Sequence, residues 1–301
     1  MEKVTVQMLL CLFLFNTPSI SQERVVEISG RKYNVLTKGI ENRSAKDAVV
    51  VFESGMGIDL GNWNKIIDQV SQFAPVFAYD RNGIGKSEKT YQLPTPENVA
   101  ANLNTILKTL KILPPYILVG HSLGGVYARG FAGHYPNEVA GLVFIDPADF
   151  TETKEYWNDI FRKMGLPEKK IDEMLQNRLY GQKSKVDSLN FGPWSERYVL
   201  NELRKTDFAE ISALPLPNVP IYFLVGGKFE VPVAQRSKDF DQETFFHIKN
   251  SSNMDRWKKL IHSSNKGGAL IYLTNAGHYI HWDDPRSVVS NIRTLTEGLK
   301  E

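Results

Sequence analysis

The stretch "ILVGHSLGGVYARG", residues 117–130, decides how the chain is read. The apolar run Tyr116 to Val119 reads as a strand, and a helix reads out from near Leu123 toward Tyr135. Ser122 stands at the turn between them, flanked by Gly120 and Gly124, with Gly125 behind. Gly and Ser occur wherever a strand turns into a helix, so G-x-S-x-G alone is weak. Placed strand-turn-helix, it has the setting of a nucleophile elbow. There a strained turn lifts the serine hydroxyl clear of the sheet, glycines let neighbouring backbone approach, and the positive helix N-terminus favours negative charge.

Working outward, short β-branched apolar runs alternate with longer segments of helical period. The runs are Ala48 to Glu53, Pro75 to Tyr79, Gly141 to Ile145, Ile221 to Val225 and Ala269 to Leu273. Runs apolar on both faces suit a parallel sheet covered by helices. Ahead of them, Arg24 to Ile28 and Arg31 to Thr37 flank Ser29-Gly30 and predict a hairpin. Thr95-Pro96-Glu97 reads as a helix start running to about Ile112, and Asp284-Pro285 starts a C-terminal helix. From 147 to 217 no strand is convincing, but helical stretches fall near Thr151 to Met164, Glu168 to Tyr180 and Ser195 to Thr206. This segment is expected to be a helical cap over one end of the sheet, its aromatic residues packing the cap's own core. The pattern is α/β with a mixed sheet.

Composition narrows the function. With 301 residues, 42% hydrophobic and 23% charged, the chain can bury a large core, and a net charge of +2 gives no reason to expect nucleic acid. Residues 1–21 place Lys3 before an apolar run Met8 to Phe15, then Pro18, Ser19 and Ser21. That is the order of a secretory signal peptide cleaved after Ser21, and the run is too short to cross a bilayer of about 30 Å. The expectation is an exported protein with no stable membrane anchor after cleavage. The single cysteine, Cys11, lies inside the leader, so the mature chain has neither disulfide nor thiol chemistry.

Six motifs in order, "VVVFESGMG", "YDRNGIGKS", "VGHSLGG", "LVFIDPA", "VGGKFEVP" and "NAGHYIHWDDP", make the chain from Arg24 onward resemble the α/β-hydrolase superfamily, in its cap-bearing esterase, lipase and peptidase branch. The resemblance implies a mostly parallel eight-stranded sheet, with the core at 22–146 and 218–301 and the cap at 147–217. It also implies a Ser-acid-His order of site residues. Ser122 is the nucleophile and His278, after the strand Ala269 to Leu273, the base. The family commonly carries the acid after the next-to-last strand, where Glu230 stands; some members carry it after the strand behind the nucleophile helix, where Asp146 stands. Glu230 is the expected acid and Asp146 the alternative. The oxyanion hole falls to the backbone amides of Leu123 and Met56, although Glu53 stands where many relatives have His, which bears on the loop's geometry.

Other patterns carry less. "GIGKS" at 83–87 lacks the first glycine of a phosphate-binding loop, whose place is Asp80, so Asp80 and Arg81 are read as bracing the turn after their strand. His278, His281, Asp283 and Asp284 have poor metal-ligand spacing, so no metal and no cofactor is expected. "NRS" at Asn42 and "NSS" at Asn250 are glycosylation sequons that matter only in a eukaryotic secretory pathway. The expected activity is cofactor-free hydrolysis of a small-molecule ester through an acyl-enzyme. The alternatives are an aminopeptidase or amidase, which needs a cap acid (Glu152, Glu155, Asp159, Asp172) for the substrate amine, and a non-catalytic ligand-binding member of the fold. The oligomeric state is not legible.

Overall fold

The computed structural model describes residues 22–176, 185–238 and 240–300. The expected leader with Cys11, and the expected end of the second cap helix near Tyr180, lie outside them. Eight strands run β1 (Gln22–Ile28), β2 (Arg31–Lys38), β3 (Val49–Glu53), β4 (Val76–Tyr79), β5 (Tyr116–His121), β6 (Val139–Ile145), β7 (Ile221–Gly226) and β8 (Gly268–Leu273). Their spatial order is β1-β2-β4-β3-β5-β6-β7-β8. Pairs β1·β2 and β2·β4 are antiparallel and the rest parallel. The expected hairpin turns at Ser29 and Gly30, both at positive φ (51° and 74°), the backbone that a two-residue hairpin turn requires.

Strand alternation divides the core. Val49, Val51 and Leu118 face one side, with Val99, Leu103, Val126, Phe131 and Trp257. Val50, Phe52, Ile117 and Val119 face the other, with Trp63, Ile67, Val288 and Ile292. Successive side chains on a strand point to opposite faces, so a strand between two helical layers is apolar on both, as β3 is from Val49 to Phe52, its last residue Glu53 being buried and charged. Helices α1 (Ile67–Val70), α2 (Pro96–Thr109) and α3 (Leu123–His134) come before the segment between β6 and β7, and α8 (Gln242–His262), α9 (Ile280–Asp283) and α10 (Pro285–Gly298) after it. The caps read from sequence are in place: Thr95 accepts from Asn98 N, and Asp284 from Ser287 N.

Between β6 and β7 the described residues form no strand. They hold α4 (Lys154–Lys163), α5 (Glu168–Leu175), α6 (Phe191–Lys205) and α7 (Ala209–Ala213). Tyr156, Trp157, Ile160, Phe161, Ile171 and Leu175 form a separate cluster, closed by Phe240, Phe245 and Ile248 at the α8 end of the core. Phe191 instead joins Tyr91, Trp194 and Tyr198 in a surface aromatic row. Of the two sequons, Asn250 is buried in α8 with its amide donated to Gly226 O, which removes it as an acceptor of glycan; Asn42 is exposed.

Candidate active site

β5 ends at His121 and α3 begins at Leu123, leaving Ser122 alone between them at φ 53°, ψ −122°. A non-glycine residue there is strained by about 1–3 kcal/mol and persists only when its surroundings over-determine it. Here they do. Ser122 N donates to Ile145 O (3.2 Å), while Ser122 O accepts from Gly125 N and Ala148 N (both 2.9 Å). The flanking glycines are obligatory: a Cβ on Gly120 would lie 2.5 Å from Gly124 O, and one on Gly124 2.0 Å from Glu53 O. The helix can start this close to β3 and β5 only because those atoms are missing. As the first residue of α3, Leu123 has an amide that no carbonyl of its own helix can reach.

Asp146 follows β6 at φ 40°. Its Oδ2 lies 2.6 Å from His278 Nδ1, and its Oδ1 accepts from Gly226 N at 3.0 Å. Both carboxylate oxygens are therefore used, one on the imidazole and one on the end of the neighbouring strand. This corrects the expectation for Glu230. The β7 loop carries Glu230 past His278 to Gly277, where its carboxylate fills the space a Cβ on Gly277 would need. There it is 46% exposed and paired with Lys228 (3.2 Å). A strand-end aspartate on β6 reaches Nδ1 directly; the longer glutamate on the β7 loop ends one residue away. Ser122, Asp146 and His278 all stand at the ends of parallel strands β5, β6 and β8.

The loop after β3 is held by a buried ion cluster that the sequence did not disclose. Arg81 donates to Glu53 Oε2 (3.2 Å), Glu196 Oε1 (2.7 Å), Ser54 O and Gly55 O (both 2.8 Å), and its guanidinium sits 4.9 Å from the Tyr127 ring. Tyr79 donates to Glu53 Oε1 at 2.6 Å. Burial pushes the Glu53 carboxyl up, against the lowering pull of Arg81 and the Tyr79 hydroxyl. Burial would also lower Arg81, but Glu196 and Glu53 more than reverse it, so the guanidinium stays charged. Glu53 thus belongs to this loop as Arg81's partner, and Arg81 braces the loop 53–57 as well as its own turn. Asp80 does brace its turn, accepting from Leu60 N, Lys86 N and Asn34 Nδ2. Within the loop, Gly57 N donates to Glu196 (2.7 Å) and Ile58 N to Gly55 O (3.3 Å). Met56 packs its side chain on the main core.

A second unforeseen network lies beneath His278. His121 Nε2 meets His278 O at 3.1 Å and so carries the proton; its Nδ1 then accepts from Asn62 Nδ2 at 3.5 Å. Asn62 Oδ1 accepts from His281 Nε2 at 3.0 Å. Burial holds both histidines neutral, His281 with a pKa lowered to about 3 and His121 well below its usual value. Asp283 takes Gly277 N, and Asp284 caps α10. The four residues of the rejected metal set are thus directed to four different tasks.

Two cavities flank this loop. One of about 440 Å³ is lined by Asp146, His278, Glu230, Lys228, Phe229 and Asn250 among others. The other, about 580 Å³ and almost wholly apolar, is walled by Ile58, Tyr279 and Trp282. An imidazole held by a carboxylate at Nδ1 keeps Nε2 free to accept a proton, and the site lies beside a strained serine at a helix N-terminus.

A family profile described as the alpha/beta hydrolase fold matches residues 48–266. "Uncharacterized protein YqjL" of Bacillus subtilis (strain 168) is 26% identical over 246 residues, covering 82% of each chain. The human "(Lyso)-N-acylphosphatidylethanolamine lipase" is 31% identical over 104 residues, 34% of this chain and 30% of that protein. Among solved structures, carboxylesterase CesB of Bacillus subtilis superposes with a TM-score of 0.56 over 93% of each chain at 18% identity, a likeness of fold. With the profile spanning well over half of the sequence and the sheet, elbow and strand-end residues arranged as described, the chain belongs to the α/β-hydrolase fold family.

Proposed function

We propose that the protein is an exported serine hydrolase that cleaves a carboxylic ester by a Ser122-His278-Asp146 acyl-enzyme mechanism. The observation that carries this is the 2.6 Å contact of His278 Nδ1 with Asp146, whose other oxygen is fixed by Gly226 N, at strand ends beside Ser122. His278 Nε2 takes the Ser122 hydroxyl proton as Oγ bonds to the substrate carbonyl carbon. The oxyanion that results is met by the amides of Leu123 and Met56. His278 then passes its proton to the departing alkoxide as the C–O bond breaks. A water attacks the acyl-enzyme, giving its proton to His278, and the carboxylic acid leaves with Ser122 restored.

Ester is favoured over amide by the fate of the cap acids. Glu155 and Asp159 are spent on Arg162 at the surface, Glu152 on Arg204, and Asp172 is exposed on α5. The apolar cleft beside the loop 55–62 suits an acyl or alkyl group, and two relatives carry the names lipase and carboxylesterase. A fluorophosphonate probe is expected to label Ser122, and a panel of p-nitrophenyl esters is expected to be hydrolysed in preference to amino-acid anilides. No labelling would leave a ligand-binding member of the fold; preference for anilides would make it an amidase.

A further inference from the structure

Glu196 lies in the cap, on α6, yet it is 1% exposed and both its oxygens serve the core. Oε2 accepts from Gly57 N in the loop after β3, and Oε1 from Arg81 Nε, whose other nitrogens hold Ser54 O and Gly55 O in the same loop. The contact is intimate along the whole first turn of α6. A Cβ on Gly57 would meet Pro193 at 3.2 Å, and one on Gly192 would lie 2.3 Å from Gly83 O. Gly57 has φ +68°, so the loop turns immediately after Met56 in a conformation that few other residues adopt. The direction in which the Met56 amide points is therefore set by Gly55, whose carbonyl Arg81 holds, and by Gly57, whose amide Glu196 holds.

We infer that Glu196 is a positioning residue through which the cap sets the oxyanion hole. This rests on the serine-hydrolase reading above. With the cap's α6 seated, the carboxylate fixes Gly57 directly and orients the Arg81 guanidinium; without it, Arg81 keeps Glu53 as its one carboxylate partner among the described residues, its Nε loses its acceptor, and Gly57 N loses its acceptor. The hole is then complete only when the cap is docked.

The decisive comparison is Glu196→Gln and Glu196→Ala against Glu152→Gln, which breaks a buried ion pair internal to the cap. An amide side chain has one acceptor end, so glutamine can serve Gly57 or Arg81 but not both. Removing an oxyanion donor outright costs about 10²–10³ in kcat, and a misdirected donor less. On p-nitrophenyl butyrate, well below each variant's Tm, kcat is expected to fall about tenfold for Gln and about a hundredfold for Ala, with KM within about twofold. An aryl trifluoromethyl ketone forms a Ser122 hemiketal whose oxyanion needs the same hole, so its Ki is expected to rise by matching factors. Glu152→Gln is expected to lower Tm and leave both readouts near wild type. If Ala does not fold, the Gln variant decides alone. Unchanged kcat and Ki in a folded Glu196→Gln, losses confined to KM, or equal losses in Glu152→Gln would each overturn the positioning role. A wild-type chain that fluorophosphonate cannot label would instead overturn the hydrolase reading and this role with it.

Discussion

Replacing Asp146 with Asn tests the site at its tightest point. The aspartate accepts two hydrogen bonds, from His278 Nδ1 (2.6 Å) and from Gly226 N (3.0 Å). Asparagine offers one oxygen and one NH₂, and Gly226 N cannot reverse its role because a backbone amide only donates. Turning the NH₂ toward Gly226 would leave two donors facing each other, at a cost of about 1–3 kcal/mol. The favoured arrangement gives the oxygen to Gly226 and the NH₂ to His278. Nδ1 must then accept, the proton moves to Nε2, and the nitrogen needed to receive the Ser122 proton is blocked. A reversed tautomer in an otherwise intact triad lowers kcat by about 10⁴, and that fall is expected with p-nitrophenyl butyrate at pH 7.5. Folding, followed by circular dichroism and Tm, should change little. Glu230→Gln, at a side chain that pairs with Lys228 and lies against Gly277 without reaching Nδ1, should cost less than about threefold. The reverse ranking, Glu230→Gln crippling and Asp146→Asn mild, would refute the assignment and return the acid to β7.

Ser122→Ala should abolish fluorophosphonate labelling and lower kcat by about 10⁶ with the Tm intact; turnover near the wild-type rate would point to another nucleophile. Gly124→Ala sets a Cβ 2.0 Å from Glu53 O, so urea denaturation should show a loss of about 2–3 kcal/mol, and an unchanged midpoint would refute the close approach. His281 is neutral in the fold down to about pH 3 but protonates near 6.5 once unfolded. Stability is therefore full above pH 6.5 and should fall by about 1.4 kcal/mol per pH unit below it for this group. His281→Gln should remove about one proton from that dependence between pH 7 and 5, and an unaltered slope would refute it. Protein from the native host should begin near Gln22 by mass spectrometry; a soluble chain retaining Met1 to Phe15 would remove the export proposal.

The parallel strands and the elbow were legible because each is a local demand. A strand covered on both faces is apolar on both, and a helix starting beside two strands needs glycine where backbone would clash. The 21-residue helix α8 gave no such signal: of its buried positions, two are Asn250 and Asn253. Asn250 holds Gly226 O and Asn253 accepts from Tyr156, so polar residues occupy a face that a hydrophobic pattern would need to be apolar. Glu53 and Arg81 were visible as residues but not as a pair, because their partner Glu196 is 115 positions further on from Arg81. Contacts of that range depend on how the cap folds back, which no local pattern encodes.

The acid illustrates the same limit from the other side. β6 and β7 are neighbours in register, Ile145 opposite Leu224, and Asp146 N donates to Leu224 O at 2.8 Å. A carboxylate leaving either strand emerges within a few ångströms of the same point, about one strand spacing of ~4.8 Å apart. The chemistry asks only that one oxygen reach Nδ1, and it does not specify which strand supplies it. Motif position therefore ranks two sites that geometry treats as near equivalents. Here the positive φ of Asp146 decides between them. It turns a short side chain back across the end of β7, where Gly226 N fixes one oxygen and leaves the other aimed at His278. Glu230, one methylene longer and on a loop with no comparable anchor, pairs with Lys228 instead. Which carboxylate meets His278 is thus set by which strand end can fix it at its second oxygen, a property of two adjacent strands together and of neither motif alone.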